Sequence, residues 1–394
     1  MDIQRLRSET RGCAERIHLN NAGAGFMPEP VVRAIREHIE LESRIGGYEA
    51  ADERHDAVRA AYAAVAELLG TKPANIAFTE NATASYIQAL SSIPFERDDL
   101  ILTTRNDYVS NQLHFLSLQK RFGVQIVRAP DLPEGGVDVA ALGELLRAHR
   151  PKLVCATHVP TSSGLVQDVA GIGRLCREHD VLYLLDACQS VGQIPLDVQA
   201  LGADFLSATA RKFLRGPRGS GFLFVSDRVL EAGLEPLFID MQGADWIDDD
   251  SYQPAAGARR FENWEFAYAL VLGTGEAARY ATALGIDAIR TRVRALTERL
   301  STGLAALAGV RLLDVGAERA GIVTAWIDGH DPADLVDALR RRRINTSWQI
   351  REYAVLHYDD HGVGGSLRLS PHYYNTEDEI DTAVAALQDV LASS

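Results

Sequence analysis

Val181-Leu-Tyr-Leu-Leu-Asp186-Ala-Cys-Gln-Ser190 opens as an unbroken apolar run and ends in a carboxylate. A short apolar run bounded by polar residues suits a strand buried on both faces. Similar runs lie on either side, at 152–157, 204–208 and 221–225. Helical periods separate or precede them. Val169, Ile172 and Cys176 mark one helix, and Val139, Leu142, Leu145 and Leu146 mark another over 138–147. Val58, Ala61, Val65 and Leu68 recur at helical spacing, and 28–41 reads as a helix opened by Pro28. Strands that are apolar throughout and alternate with helices predict an α/β fold, its mainly parallel sheet covered on both faces.

After Glu262 the pattern changes. Ile289, Val293, Leu296, Leu300, Leu304 and Leu307 step by three or four along a long helical region. Short strands at 322–327, 344–348 and 367–370 then alternate with helices at 331–342 and 376–391. This predicts three parts: an N-terminal segment (1–27) against the small domain and the active site, a large domain (28–260), and a long helix with a smaller C-terminal α/β domain (261–394). The stretches 131–136 and 241–257 read as loops.

The 394 residues carry a net charge of -14, from 40 Lys+Arg against 54 Asp+Glu. Binding to nucleic acid or an anionic membrane needs a basic face, so both are expected to be absent. Four cysteines (Cys13, Cys155, Cys176, Cys188) are too sparse for a disulfide framework. The first residues have no apolar signal core, and no apolar run approaches the roughly 20 residues of a membrane span. The expectation is a cytoplasmic protein with reduced thiols. Asp248-Asp249-Asp250 lacks the alternating ligands and turn glycine of a calcium loop, so no metal site is expected. Asn21-Ala-Gly-Ala-Gly25 begins like a dinucleotide fingerprint, but Pro28 stands where the third glycine belongs.

Ligands of open α/β sheets sit at the carboxyl ends of strands. Those ends hold Asp186, Thr209-Ala-Arg-Lys212 and Thr157-His-Val-Pro-Thr161-Ser-Ser-Gly164. An isolated Asp or Lys beside an apolar sheet is costly, and a bound group with complementary charges removes the cost. Pyridoxal phosphate suits the set. Its aldehyde needs an amine, its ring nitrogen a carboxylate, and its phosphate hydroxyls, N–H groups and a cation.

From about residue 19 to 391 the sequence resembles the class V aminotransferases. This branch of the fold-type I pyridoxal-phosphate enzymes includes cysteine desulfurases, C–S lyases and isopenicillin-N epimerase-like proteins. The strongest likeness runs from Leu185-Asp-Ala-Cys-Gln-Ser190 through Thr209-Ala-Arg-Lys212 to Gly216-Pro-Arg-Gly-Ser-Gly221. The resemblance implies that Lys212 forms the Schiff base and carries the proton, that Asp186 pairs with the ring nitrogen, and that Gln189 meets the ring hydroxyl. It places Ala82 and Thr83, within Phe78-Thr-Glu-Asn-Ala-Thr-Ala84, at the phosphate with Thr209 and Arg211. Arg211 is a departure, since most relatives carry histidine there. Tyr108, within Asp107-Tyr-Val-Ser-Asn111, would stack on the ring, and Thr161 falls where many desulfurases have asparagine. Arg368, within Leu367-Arg-Leu-Ser-Pro-His-Tyr-Tyr-Asn-Thr376, would grip the substrate carboxylate, with Asn21 and Ala22 in a loop over the substrate. His158 reads as scaffold. Family members are homodimers, and Gln242-Gly-Ala244 matches a place from which a partner subunit reaches the phosphate.

These residues serve β-elimination, transamination and epimerisation alike. Family desulfurases also carry a thiolate on a loop shortly before the arginine, whereas 345–368 contains no cysteine. Trp348, Arg351 and Tyr353 are expected to line that region. The expected activity is therefore C–S lysis of an S-substituted cysteine without a protein persulfide. An aminotransferase or epimerase acting on a small amino acid is the alternative. A non-catalytic binding protein of this fold would usually have lost Lys212.

Overall fold

The computed structural model describes residues 1–393. Its main sheet contains β1 (Ile76–Thr79), β2 (Leu100–Thr103), β3 (Gln125–Arg128), β4 (Leu153–Thr157), β5 (Leu182–Asp186), β6 (Phe205–Thr209) and β7 (Gly221–Val225). The spatial order is β1-β7-β6-β5-β4-β2-β3. From β6 outward to β3 all neighbours are parallel. The run at 221–225 differs from a parallel reading, because β7 is antiparallel to both β6 and β1. The chain returns to it through 210–220 without a crossover helix, and so direct a return allows only antiparallel pairing. β4, β6 and β7 are buried along their whole length, as continuous apolar runs require.

Helices α1 (Glu29–Ile45), α2 (His55–Leu69), α3 (Ala82–Ser91), α4 (Val109–Phe122) and α5 (Val169–Glu178) belong to the large domain. The long helical region is two helices, α6 (Tyr268–Leu284) and α7 (Ile286–Ala305), with a turn at Gly285. α6 packs on α1 and α2. Its buried face carries glycines and alanines, and a Cβ on Gly275 would lie 2.4 Å from the Ala61 Cβ. That close fit keeps α6 with the large core. Along α7, Ile289 and Val293 join the large core, whereas Leu296, Leu300 and Leu304 join the small one. The cores therefore divide within α7, later than a boundary near residue 260.

The small domain is an antiparallel sheet of β8 (Val310–Leu312), β9 (Val323–Ile327), β10 (Ser347–Ile350) and β11 (Gly365–Leu369), in the order β8-β9-β11-β10. α7 and α9 (Glu377–Ala392) pack together over it, and a capping box from Thr376 and Glu379 opens α9. The connecting helix before α9 is α8 (Val355–His361). The N-terminal segment joins both cores: Leu6 enters the large one, and Leu19 the small one. Ile17–His18 pairs in parallel with Ile344–Asn345. The stretch 241–257, read as a loop, contains a hairpin of Ala244–Asp248 and Ser251–Pro254. Both its faces are largely exposed, so no apolar alternation marked it as strand. No helix among the described residues is long and apolar enough to cross a membrane.

Glu262 connects this frame to the site. One carboxylate oxygen accepts from the Tyr62 hydroxyl of α2 (2.7 Å) and from the Phe78 N–H of β1 (2.8 Å). The other oxygen has no close partner among the described residues, and Gln242 is a weaker donor to the carboxylate. Burial pushes the pKa from 4.5 to about 7. The folded state then holds a proton that the unfolded chain releases, so stability falls as pH rises from 4.5 toward 7. Glu262→Gln keeps an acceptor oxygen and removes the titration. Denaturant midpoints across that range should fall less steeply with pH than in the parent, and parallel curves would contradict the assignment.

Candidate active site

The carboxyl ends of β4, β5 and β6 and the start of α3 surround a cavity of about 430 Å³. Ala82, Thr83, Tyr108, Thr161, Asp186, Gln189, Thr209, Arg211 and Lys212 all line it. Asp186 ends β5. Its carboxylate accepts from the Cys188 N–H (2.9 Å) and from Asn111 Nδ2 (3.1 Å). Asn111 Nδ2 also donates to Asp107 (2.9 Å), which accepts from the Thr157 hydroxyl (2.5 Å) and the Tyr108 N–H (2.7 Å). This network fixes both the carboxylate and the backbone that presents Tyr108. Burial raises the Asp107 pKa, against the pull of its hydrogen bonds.

Lys212 lies in the turn after β6, where its carbonyl accepts from the Arg215 N–H (3.0 Å). Nζ is 5.9 Å from the centre of the Tyr108 ring. The residue is 8% exposed, and among the described residues Lys212 makes no ion pair. Burial lowers its pKa, which favours the neutral amine. Arg368 on β11 is 3% exposed. It donates to the Thr161 carbonyl (3.2 Å) and to Asn20 Oδ1 (3.4 Å), while its Nε has no partner. Burial lowers its pKa to about 10, so it stays charged near neutrality.

At the opposite end, Asn81 caps α3 by accepting from the Ala84 N–H (3.0 Å). The N–H groups of Ala82 and Thr83 belong to the first turn, which has no helical acceptors. Gly221 lets β7 start against this turn, since a Cβ there would lie 2.6 Å from the Asn81 carbonyl carbon. Thr209 and Arg211 share the same cavity. Gln189 Nε2 donates to the Ala22 carbonyl (3.3 Å), and its buried Oε1 has no partner. A buried amine and a buried guanidinium without carboxylate partners among the described residues, an unpartnered amide oxygen and an open helix start fit a group carrying an aldehyde, a ring hydroxyl and a phosphate, with a carboxylate-bearing substrate beside it. Asp186 would be the partner for a protonated ring nitrogen.

The family model of aminotransferase class-V matches residues 17–383. The chain belongs to the class-V aminotransferase family, whose enzymes depend on pyridoxal phosphate. It is 30% identical to a probable cysteine desulfurase of Methanothermobacter thermautotrophicus, over 99% of this chain and 98% of that protein. It is also 30% identical to a probable hercynylcysteine sulfoxide lyase of Mycobacterium tuberculosis, over 96% and 91%. Among solved structures, the apo cysteine desulfurase of Thermococcus onnurineus NA1 shares the fold, with TM-score 0.91, 24% identity and coverage of 99% and 98%. The cystine C–S lyase C-DES, in complex with its reaction product cysteine persulfide, gives TM-score 0.85 and 25% identity over 96% and 99%. The fold is thus that of the fold-type I pyridoxal-phosphate enzymes.

Three residues expected at the substrate of this class-V enzyme are placed differently. Asn21 is committed internally: Nδ2 donates to the Ser370 carbonyl (2.8 Å), and Oδ1 accepts from the Tyr374 hydroxyl (2.6 Å). Its neighbour Asn20 meets Arg368 instead. Ser347 is the cross-strand partner of Arg368, so Trp348, one residue on, points to the opposite face of the small sheet. Arg351 pairs with Asp359 (2.5 and 2.7 Å) on the exposed side, away from the cavity. Ala22 stays at the site through its carbonyl to Gln189.

Two functional features escaped the sequence reading. Asp107 and Asn111 carry a readable signal, a spacing of four that brings them together at the start of α4. Arg215 carries none. It is 1% exposed, without an ion pair among the described residues. It donates to the Phe26 carbonyl (2.7 Å), the Thr10 hydroxyl (2.6 Å) and the Tyr373 hydroxyl. The rings of Tyr374 and Tyr373 lie 4.5 and 5.0 Å from its guanidinium carbon. One side chain thereby ties the turn of Lys212 to the N-terminal segment and to the segment after β11. Arg215→Met leaves those acceptors unpaired and removes the cation–π contacts. It should cost about 3 kcal/mol or more of unfolding free energy. A loss below about 1 kcal/mol in denaturant titration would show that the cage is redundant.

Proposed function

We propose that this protein is a pyridoxal-phosphate-dependent C–S lyase that cleaves an S-substituted cysteine without using a thiol of its own. The observation that carries the reading is the pairing of a complete Lys212, Asp186 and Arg368 set with the absence of cysteine from 345–368. That stretch holds β10, a short turn and α8, tied to the large domain by Arg105 and Asp360 (2.7 Å). Cys155 and Cys176 are buried, and Cys13 lies in the N-terminal segment. Cys188 is on the cavity wall, but burial and the adjacent Asp186 push its pKa up, which keeps it a poorly nucleophilic thiol. The relative named hercynylcysteine sulfoxide lyase and the C–S lyase C-DES support carbon–sulfur cleavage as the reaction class.

Pyridoxal phosphate, when bound, supplies an electron sink for the pair left by the Cα–H bond. Asp186, held by Asn111 and the Cys188 N–H, would keep a proton at the ring nitrogen. The start of α3, Thr209 and Arg211 would hold the phosphate, Gln189 Oε1 would take the ring hydroxyl, and Tyr108 would face the ring. Arg368 binds the substrate carboxylate and, through the Thr161 carbonyl, stays registered to the cavity wall. Lys212, whose charge burial disfavours, takes the Cα proton. The Cβ–S bond breaks with its electron pair going to sulfur, which takes up the proton that Lys212 removed and leaves as a thiol, or as a sulfenic acid where the substrate sulfur already carries an oxygen. The three-carbon remainder is hydrolysed to pyruvate and ammonia.

The active site is proposed to work in a homodimer. Leu237, Phe238, Met241, Trp246, Ile247 and Trp264 are all exposed on the segment 237–264, and contiguous apolar exposure marks an interface. Trp246→Asp with Phe238→Asp should convert a dimer to a monomer in sedimentation, and an unchanged mass would remove this surface from the account.

Parallel assay of pyruvate, ammonia, thiol and keto-acid products from S-substituted cysteines tests the reaction. Stoichiometric pyruvate and thiol are expected. Amino-group exchange with a keto acid, and no pyruvate from any such substrate, would favour the aminotransferase alternative. Lys212→Ala should lose both the visible cofactor absorption and turnover. Retained turnover would overturn the assignment of Lys212.

A further inference from the structure

A second cavity, of about 360 Å³, lies between α4 and the residues leading into α8. Val109, Leu113 and Leu116 form one wall, and Tyr353, Val355 and Leu356 the other. Pockets for small organic groups begin near this size, at about 300 Å³, and are mostly apolar. Leu113 is 59% exposed, an unusual state for a leucine facing another apolar wall.

The two cavities share a partition. Tyr108 and Thr161 line the first, and the next residues in the chain, Val109 and Ser162, line the second. Arg368 binds the Thr161 carbonyl on that same partition. An amino acid held between Lys212 and Arg368 therefore lies against the residues that border the second cavity. Arg105, one of its lining residues, pairs with Asp360 of α8. Inside it, His357 is only 6% exposed, and its Nε2 has no hydrogen-bond partner. Burial and the neighbouring His361 hold the His357 pKa near 4, so at neutral pH the ring is an uncharged polar group in a chamber that is mostly apolar but also lined by Arg105, Asp107, Gln112, Arg128 and Glu352.

We infer that this second cavity receives the substituent on the substrate sulfur, and that the substituent has an apolar alkyl or aryl body with room for one hydrogen-bonding group at His357. The inference rests on the lyase reading of the site. It replaces Trp348 and Arg351 as substituent contacts with the walls from α4 and α8, and it leaves the reacting atoms to the residues already described.

The test separates binding from chemistry. The holoenzyme is titrated calorimetrically with the analogues of S-benzyl-L-cysteine and S-methyl-L-cysteine in which a methylene replaces sulfur, so neither can be cleaved. Burying a phenyl group should make the benzyl analogue bind about tenfold tighter or more. Leu116→Trp fills the cavity from an exposed position, and Val355→Asp makes its wall polar. Each should abolish the preference and leave the methyl analogue's affinity unchanged. Equal affinities in the parent, or a preference that survives both variants, would overturn the proposal. So would dissociation of the oligomer by Leu116→Trp, since a second copy would then be the occupant. Pyruvate from S-benzyl-L-cysteine and from S-methyl-L-cysteine is assayed on the same samples. Its absence from both, alongside an intact, variant-sensitive preference, would sink the lyase reading while leaving the cavity as a side-chain pocket.

Discussion

A lysine amine buried without a carboxylate partner at the carboxyl edge of an apolar sheet is the constraint around which this protein is arranged. Burial alone disfavours its charge, and no ion pair among the described residues restores it. The sheet brings Asp186 to the same edge but spends that carboxylate on Asn111 and a backbone N–H rather than on the lysine. Arg368 arrives from the other domain, also buried and also without an acid. These arrangements carry a free-energy cost in the protein alone, which the proposed binding of a phosphate, a pyridine nitrogen and a carboxylate would reverse. Arg215 shows how the fold tolerates the strain: it fastens the lysine turn to both termini through neutral oxygens and aromatic faces.

Much of this was legible in the sequence where burial and chemistry reinforce one another. β4 to β7 are apolar because both faces are covered, so each reads as a strand. Asp186 and Lys212 stand out because charges follow those strands directly. β3 was not legible, since it is an edge strand flanked by Gln125 and Arg128 and half open to solvent. β1 and β2 are too short to show a period. Two of the three errors at the substrate end are errors of one residue. Asn20, not Asn21, meets Arg368, and a single step along β10 turns Trp348 to the far face. Arg215 was hidden for another reason: Thr10, Phe26 and Tyr373 lie far from it in the chain, and local spacing carries no trace of them.

The same scaffold serves proteins named as desulfurases and as lyases, so the distinction lies in where the sulfur goes. A thiol acceptor needs a reachable, ionisable cysteine near the carboxylate-binding arginine. In this chain the corresponding stretch is occupied by strand, turn and helix without sulfur, and the one cysteine on the cavity wall is held protonated beside Asp186. On the proposed reading, the chamber beside α8 is the space for a leaving group that departs intact.

Intact-protein mass spectrometry during steady-state turnover of an S-substituted cysteine tests this most directly, together with the pyruvate yield of Cys188→Ala. The account predicts no sulfur adduct on any of the four cysteines and a variant that still releases pyruvate and thiol in equal amounts. A sulfur adduct that forms and decays with turnover, or a Cys188→Ala enzyme that binds cofactor but releases no pyruvate, would contradict it.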